Sequence, residues 1–336
     1  RLAGSMCWFS AVEIVGDGGA ELVPVEAMPE RLDRLGEQAQ AAWANLTAPR
    51  PPLTLGERVV RLDQPQVVGI VNVTPDSFSD GGVHAEEEAA VAAGHKMAAE
   101  GAAIIDVGGE STRPGAKPVW EGDEAVRVAP VFRRLAAAGA AVSVDTRKAA
   151  VMEAALAAGA ALVNDVSALT FDPRSAEIVA SAGCPIVLMH HQGPPETMQA
   201  DPRYDRPVLL VIYDWLEARI EAAVAAGIAR DRIVVDPGFG FGKTVQHNLA
   251  LMNGLALLHG LGCPVMVGAS RKRTIGALSN EAPADKRLAG SLAFALKAAE
   301  QGAQLIRVHD VAETLQALRV WRGLRDAALA PASGAL

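Results

Sequence analysis

The chain contains 336 residues, half of them hydrophobic, and carries a formal net charge of −8. This acidic balance disfavours a nucleic-acid partner. No apolar run approaches the ~18 residues of a membrane span. The three cysteines are scattered and show no metal-binding spacing such as C-x-x-C. We therefore expect neither a nucleic-acid nor a membrane partner, and reduced cysteines predict a cytoplasmic protein.

Residues 1–65 differ from the rest of the chain and carry no recognisable chemistry. Their pattern predicts a short strand over 10–15 and a helix over 29–46, followed by a proline-rich break at 48–52. We interpret 1–65 as an N-terminal extension that packs against or caps the main domain. The main domain is predicted to cover 66–329.

From residue 67 onward, apolar segments alternate with Ala-rich segments of helical period. Strands are predicted at 67–72, 103–108, 141–145, 161–165, 185–189, 232–236, 264–268 and 304–308. Helices are predicted at 84–100, 122–138, 147–158, 173–182, 206–227, 245–261, 285–301 and 310–327. Strands without polar alternation are typical of parallel sheets covered on both faces. Eight such units in about 260 residues predict an α/β fold, a (β/α)8 TIM barrel, with an open doubly wound sheet as the alternative.

Every predicted strand ends in polar or chemically active residues. In chain order these are Asn72, Asp106, Asp145, Asn164 with Asp165, Met189 with His190, Asp236, Ser270 to Lys272, and Arg307 with His309. Capping of a helix or a loop explains any one of them. Active sites of parallel barrels are built from these strand ends, so their repetition at all eight favours a site.

The strand-end residues form two chemical sets. The first set consists of buried hydrogen-bonding groups: Asp106, Asp145, Asn164, Asp236 and Lys272. Such groups suit a flat polar heterocycle. The second set is cationic: Arg113, Arg307, His309 and, less centrally, Arg271. These cations suit an anion such as a phosphate, and the amide oxygen of Asn72 could help to hold Mg²⁺ on it.

Two segments resemble common motifs without matching them. In residues 236–243, DPGFGFGK, the glycine spacing is one residue short of a phosphate-binding P-loop. We interpret this segment as a tight turn that brings its backbone and Phe239 close to a ligand. The adjacent His190 and His191 lack the spacing and the third ligand of a zinc site.

Together, the strand-end segments resemble the dihydropteroate synthase family, the pterin-binding barrels of folate biosynthesis. The resemblance rests on GIVNVTPDSFSDGG (69–82), IIDVGGESTRPGA (104–116), VSVDTRK (142–148), LVNDVSAL (162–169), LMHHQGPPETMQ (188–199), DPGFGFGK (236–243), GASRK (268–272) and RVHDV (307–311). These segments cover every predicted strand end, and jointly they are highly specific.

This resemblance implies an enzyme that condenses 7,8-dihydropterin-6-ylmethyl diphosphate with 4-aminobenzoate to give 7,8-dihydropteroate and diphosphate. It implies Mg²⁺ as cofactor and sulfonamides acting as mimics of 4-aminobenzoate. Because diphosphate is a good leaving group once Mg²⁺ and cations neutralise it, we favour a dissociative displacement. It also implies a homodimer formed through the last helices, although the apolar residues Leu315, Leu318 and Trp321 could equally pack on the barrel. We further expect loops 73–83 and 111–120 to close over the bound substrates.

The resemblance also implies roles for individual residues. Pterin binding falls to Asp106, Asp145, Asn164, Met189, Asp236, Phe239 and Lys272. Diphosphate binding falls to Asn72, Arg113, Arg307 and His309, with Asn72 as the metal ligand. The 4-aminobenzoate pocket comprises Phe78, Thr112, Pro114, Ser270 and Lys272. The catalytic residues are Asp80, Asp145, Asp236 and Lys272.

Two other functions stay open at the level of sequence. A pterin-binding methyltransferase module would share the barrel and its pterin contacts, but the SRK (270–272) and RVHD (307–310) segments argue against it. A non-catalytic pterin-binding paralogue is the second alternative. The presence of Asn72, Arg113, Lys272, Arg307 and His309 argues against that reading.

Overall fold

The computed structural model describes residues 1–16, 19–73, 82–110, 119–194 and 197–329, with backbone only for 82–85. The strands are β1 (Ala11–Gly16), β2 (Gly19–Pro24), β3 (Leu53–Leu55), β4 (Arg58–Val60), β5 (Gln66–Asn72), β6 (Ile104–Gly108), β7 (Val142–Asp145), β8 (Leu162–Asp165), β9 (Ile186–Met189), β10 (Ile233–Asp236), β11 (Met266–Val267) and β12 (Leu305–Val308). The helices are α1 (Met28–Thr47), α2 (Gly82–Glu100), α3 (Glu121–Ala137), α4 (Ala149–Ala157), α5 (Ser175–Ala182), α6 (Val208–Ala225), α7 (Val245–Asn253), α8 (Arg273–Leu278), α9 (Leu288–Glu300) and α10 (Val311–Leu329).

Strands β5 to β12 form one parallel sheet in the order β10-β9-β8-β7-β6-β5-β12-β11. The two ends of this order meet, because Val235 of β10 forms a parallel bridge with Val265, just before β11. The Val235 N–H donates to the carbonyl of Pro264 at 2.9 Å. This closure confirms the predicted (β/α)8 barrel, in which all eight C-terminal strand ends share one mouth.

The opposite end of the barrel is filled by apolar side chains of the β3–β4 hairpin and of Leu62, two residues after it. Leu53, Leu55, Val60 and Leu62 pack with the first residues of the barrel strands in a separate hydrophobic cluster. The larger cluster lies between the strands and the surrounding helices. The barrel therefore has an apolar base and a polar mouth.

The N-terminal residues contain more structure than their sequence pattern predicts. The predicted strand is β1, but it pairs with β2 in an antiparallel hairpin that was not predicted. The predicted helix is α1, which is interrupted at Gly36, where φ is 77°. Asn45 and Arg50 anchor this region, since they donate to the carbonyls of Gly260 at 2.9 Å and His259 at 2.8 Å. The division of the chain at residue 65 stays a prediction.

Most barrel elements lie where the alternation predicts them, and the largest difference concerns the helix predicted at 245–261. Helix α7 ends at Asn253, and a 3-10 helix continues over Leu255–Leu261. A Cβ on Gly254 would lie 2.3 Å from the side chain of Leu209, so a larger residue at this break would have to displace that side chain of α6. Strand β11 is regular over only two residues, and the short helix α8 was not predicted.

Helix α10 resolves the question left open by its apolar stripe. Leu318 is buried, and Leu315 and Trp321 pack partly buried against the barrel core. The stripe therefore covers the barrel. Two other apolar side chains of this helix face outward, since Val320 is 59% exposed and Leu324 is 71% exposed. Among the described residues, no helix is long and apolar enough to cross a membrane.

The packed base of the barrel predicts a clear difference between two hairpin residues. Leu53 is 2% exposed, whereas Val59 on the same hairpin is 62% exposed. Leu53→Ala should lower the free energy of unfolding by about 2–5 kcal/mol, because a buried leucine leaves a cavity. Val59→Ala, the matched control, should change it by less than about 0.5 kcal/mol. Urea denaturation measures both values, and equal effects would contradict the packing.

Candidate active site

The mouth of the barrel is organised by an arginine between two aspartates, and the side chain of this arginine is 18% exposed. Arg307 Nε donates to Asp106 Oδ2 at 2.6 Å, and its Nη2 donates to Asp145 Oδ2 at 2.6 Å. Asn164 donates to the same Asp106 oxygen at 3.0 Å. Because β6, β7 and β8 are neighbours, their ends bring Asp106, Asp145 and Asn164 together. Arg307 reaches them from β12, past the intervening β5.

Burial and the neighbouring charges together determine the pKa values of these residues. Burial raises the pKa of Asp145 to about 7, against the attraction of Arg307 and with a further rise from Asp106. Burial also disfavours the charge on Arg307, but Asp106 and Asp145 outweigh it and raise the arginine pKa. Arg307 is therefore a fixed cation, whereas Asp145 can change its charge near neutral pH.

A second acid–base pair lies on the other side of the mouth. Asp236, at the end of β10, accepts a hydrogen bond from the Gly238 N–H at 2.7 Å. Burial raises its pKa, while Lys272 and that N–H act in the opposite direction. Burial lowers the pKa of Lys272 to about 8, against the attraction of Asp236. Lys272 Nζ donates to the Phe239 carbonyl and lies 4.3 Å from the ring centroid of Phe241.

The glycine-rich segment 237–242 is a tight turn, as its sequence predicts. Gly238, Gly240 and Gly242 all have positive φ. A Cβ on Gly238 would lie 1.9 Å from the His190 carbonyl, so the turn packs directly on the end of β9. Buried Lys243 holds the turn, because its Nζ contacts the carbonyls of Gly238 at 2.9 Å and Phe241 at 3.0 Å and the His190 Nδ1 at 2.8 Å.

Ser270 and His309 form a polar pair between the ends of β11 and β12. The Ser270 hydroxyl lies 3.0 Å from His309 Nδ1 and accepts from the His309 N–H at 3.3 Å. The neighbouring Arg271 is engaged elsewhere, because its guanidinium binds the carboxylate of Asp310. Arg271 is therefore used structurally, whereas Ser270 and His309 belong to the rim of the mouth.

The predicted site residues divide into those the structure describes and those it does not. Asp106, Asp145, Asn164, Asp236, Lys272 and Arg307 come together at the mouth, Met189 adjoins Asp236 in the sheet register, and Asn72 is half-buried at the end of β5. Phe78, Asp80, Thr112, Arg113 and Pro114 lie outside the described residues, as do most of loops 73–83 and 111–120.

The two phenylalanines of the glycine-rich turn face different surroundings at the mouth. The Phe239 ring is 2% exposed and packs edge-on against Phe294, so only its carbonyl reaches Lys272. Phe241, for which the sequence predicts no role, places its ring beside Lys272 instead. The alternation Gly-Phe-Gly-Phe-Gly was the available signal, but it does not say which ring turns inward.

Metal binding by the protein alone is not supported in the described part of the chain. No group of three or more His, Cys, Asp or Glu side chains there could hold an ion. His190 is buried, and burial lowers its pKa to about 2. It is therefore a neutral partner of Lys243.

Comparisons with known proteins identify the family of the chain. A model of the pterin binding enzyme family matches residues 68–309. Dihydropteroate synthase of Neisseria meningitidis is 48% identical over 275 residues, which are 80% of this chain and 96% of the relative.

Solved structures give the same result. Xanthomonas albilineans dihydropteroate synthase with 4-aminobenzoic acid has a TM-score of 0.78 at 49% identity, covering 84% of this chain and all of the other. Yersinia pestis dihydropteroate synthase with a sulfonamide drug complex has a TM-score of 0.77 at 47% identity, covering 82% of this chain and 99% of the other. The chain therefore belongs to the dihydropteroate synthase family.

Proposed function

We propose how the residues of the barrel mouth divide the work of dihydropteroate synthesis. The enzyme condenses 7,8-dihydropterin-6-ylmethyl diphosphate with 4-aminobenzoate, giving 7,8-dihydropteroate and diphosphate for folate biosynthesis. One observation supports the division above all others. Asp106 Oδ1 and Asp145 Oδ1 are buried and have no hydrogen-bond partner among the described residues. Buried acceptors of this kind need N–H donors, and a pterin ring edge supplies them.

The pterin subsite is proposed to comprise Asp106, Asp145, Asn164 and Asp236 with Lys272. The carboxylates accept from ring and exocyclic N–H groups, and Lys272 donates to a ring acceptor. Asn164 is oriented by its bond to Asp106 at 3.0 Å. A site of this kind discriminates strongly against analogues that leave its buried groups unpaired. Met189, buried beside Asp236 in the sheet, supplies an apolar contact below the ring.

The diphosphate subsite is proposed at Arg307, His309 and Asn72. A guanidinium carries five N–H donors, and the two ion pairs of Arg307 use only its Nε and Nη2. Its other donors can therefore bind a diphosphate oxygen while Arg307 stays paired with Asp106 and Asp145. Arg113 is proposed as a further anion ligand from the loop that follows β6.

A magnesium ion fits this subsite as a companion of the substrate. Asn72 offers one neutral oxygen at the end of β5, which suits Mg²⁺ held mainly by phosphate oxygens and water. The ion would neutralise charge on the leaving diphosphate. The described residues provide no complete metal site. Asn72 would therefore contribute one ligand, and the substrate and water would supply the others.

We infer a dissociative displacement. Arg307 and His309 lower the cost of separating the diphosphate, because they hold the negative charge that develops on it. The pterin is then electron-poor at its methylene carbon, and the carboxylates of Asp145 and Asp236 stabilise it electrostatically. The C–O bond breaks first and its electron pair leaves with the diphosphate. The neutral arylamine then forms the C–N bond with its lone pair and releases one N–H proton to the diphosphate or to solvent, so no enzyme nucleophile is required. Water must be kept out until it does, a role proposed for loops 73–83 and 111–120, where Asp80 lies.

The 4-aminobenzoate pocket is proposed beside Lys272. Ser270 lies at the rim, and the Phe241 ring forms an apolar wall against the Lys272 side chain. Phe78, Thr112 and Pro114 are proposed to complete the pocket. The Yersinia relative was solved in a sulfonamide drug complex, and we propose that sulfonamides compete with 4-aminobenzoate here as well.

Assembly and location follow as further proposals. The exposed Val320 and Leu324 of α10 offer an apolar contact for a second copy of the chain, and we propose a homodimer through this helix. Sedimentation velocity at micromolar concentration tests it, because a wild-type monomer there would contradict the assignment.

A cytoplasmic location is proposed from the reduced cysteines, and cell fractionation tests that assignment.

Release of diphosphate that depends on 4-aminobenzoate is the experiment that tests the function. A pterin-binding methyltransferase module or a non-catalytic paralogue would release none.

Asp145→Asn should lower this turnover by about 10²–10³-fold while the fold is retained, because it removes one charge from the transition state. Asp285→Asn, an exposed carboxylate paired with Lys286, is the matched control and should leave the rate unchanged. Normal turnover in Asp145→Asn would remove it from the mechanism.

The pKa shifts predict a narrow pH optimum. Asp145 acts ionised and has a pKa of about 7, so kcat/KM should fall as pH drops through that value. Lys272 acts protonated and has a pKa of about 8, so kcat/KM should also fall as pH rises above that value. These limbs report the free enzyme. Lys272→Arg should shift only the alkaline limb upward, and a profile that is flat across both values would contradict the assignment.

A further inference from the structure

A buried lysine outside the substrate-binding set joins three structural elements. Lys148 Nζ donates to Glu124 Oε2 of α3 at 2.7 Å, to Glu110 Oε1 at 2.9 Å and to the Val119 carbonyl at 2.6 Å. These contacts use all three donors of an ammonium group. Lys148 is 6% exposed and Glu124 is fully buried. The four residues Glu110, Val119, Glu124 and Lys148 are called the clamp below.

The clamp connects the residue before segment 111–118 to the residue after it. Glu110 precedes the segment and Val119 follows it, and the two bind each other directly, because the Val119 N–H donates to Glu110 Oε1 at 2.9 Å. Thr146 donates to the second oxygen of Glu124 at 3.2 Å, which fixes that carboxylate. Arg147 approaches the second oxygen of Glu110 at 3.4 Å.

The net contribution of these ion pairs to folding stability does not explain why they are buried. Burial raises the pKa of Glu124 despite its bond to Lys148. Burial also acts to raise the pKa of Glu110, but the hydrogen bonds from Lys148 and Val119 outweigh it and lower that pKa. Buried ion pairs contribute little net stability relative to apolar side chains of the same shape. They do impose directional contacts at fixed distances, which apolar side chains cannot.

We propose that Lys148 is a positioning residue for the synthase reaction. By joining Glu110 to Val119 and both to α3, it fixes the two points between which segment 111–118 must run. That segment contains Thr112 and Arg113, so the inference rests on the roles proposed for them in substrate binding. Lys148 touches no substrate, and it acts through the placement of the segment ends.

The clamp leaves the pterin subsite to other residues. Asp106, Asp145, Asn164 and Asp236 stand on their own strands, and among the described residues their side-chain hydrogen bonds go to one another, to Arg307 and to Gly238. Glu124 acts on Asp145 only through its charge, which raises the pKa of Asp145. Loss of the clamp should therefore weaken the use of 4-aminobenzoate and leave the binding of a pterin without diphosphate intact. This difference separates positioning from general structural support.

The test uses the full chain with Glu124→Gln and Lys148→Met combined. Lys148→Met alone would leave the buried carboxylate of Glu124 without its cation and Glu110 with Arg147 alone, and would endanger folding. The double variant keeps the local charge balance, and the amide oxygen introduced by Glu124→Gln can still accept from Thr146. We expect a melting temperature near that of the wild type and a KM for 4-aminobenzoate raised about tenfold, the equivalent of roughly one hydrogen bond. The inhibition constant of a sulfonamide should rise by the same factor.

Two further measurements guard against a general loss of structure. Binding of 6-hydroxymethyl-7,8-dihydropterin, measured by calorimetry, should stay within about twofold of the wild type. Leu216 is fully buried on α6 and lies far from the clamp in sequence. Leu216→Ala should lower the melting temperature without changing the KM for 4-aminobenzoate or the KM for the pterin diphosphate.

An unchanged KM for 4-aminobenzoate in the double variant would overturn the inference. Equal weakening of 4-aminobenzoate, sulfonamide and dihydropterin would overturn it as well, because that pattern marks a purely structural role. Failure of the proposed function has a different signature, since the wild type itself would then release no diphosphate in the presence of 4-aminobenzoate.

Discussion

The barrel mouth depends on the pairing of Arg307 with Asp106 and Asp145. Two carboxylates beside each other in an apolar barrel would repel and would lose their hydration, so one of them would take up a proton. Arg307, with both N–H···O distances at 2.6 Å, lets the site keep negative charge where a pterin ring can use it. The same guanidinium keeps donors for an anion. One cation therefore serves the rest state of the site and the departure of diphosphate.

The two ends of the barrel do opposite work. At the base, Leu53 and Leu55 bury apolar surface against the first residues of the strands and leave nothing for a ligand. At the mouth, strand ends present acids, amides and cations. Such polar groups are costly to bury without partners, so the apolar base and the helix layer must supply the stability that the mouth does not. The clamp around Lys148 is a further set of buried polar groups, and it lies at the two ends of the segment that follows β6.

The sequence predicted the barrel well because each strand and helix has its own periodic signal, and the strand-end residues came with it. The short hairpin strands of three residues were missed, since so short a run has no period to read. Partner choice was also beyond the sequence. Arg271 and Arg307 look equally cationic, yet one binds Asp310 at the rim and the other enters the barrel. Phe241 and Lys148 depend on which way a turn or a loop faces, which only tertiary packing decides.

A double-mutant cycle on Arg307 and Asp145 tests the central claim most directly. The free energy of unfolding would be measured by urea denaturation for the wild type, Arg307→Met, Asp145→Asn and the double variant, without substrate. If the pair is a coupled buried unit, the two changes should be non-additive by about 1–3 kcal/mol, because each single variant leaves a buried group without its partner. Additivity within about 0.5 kcal/mol would contradict the account.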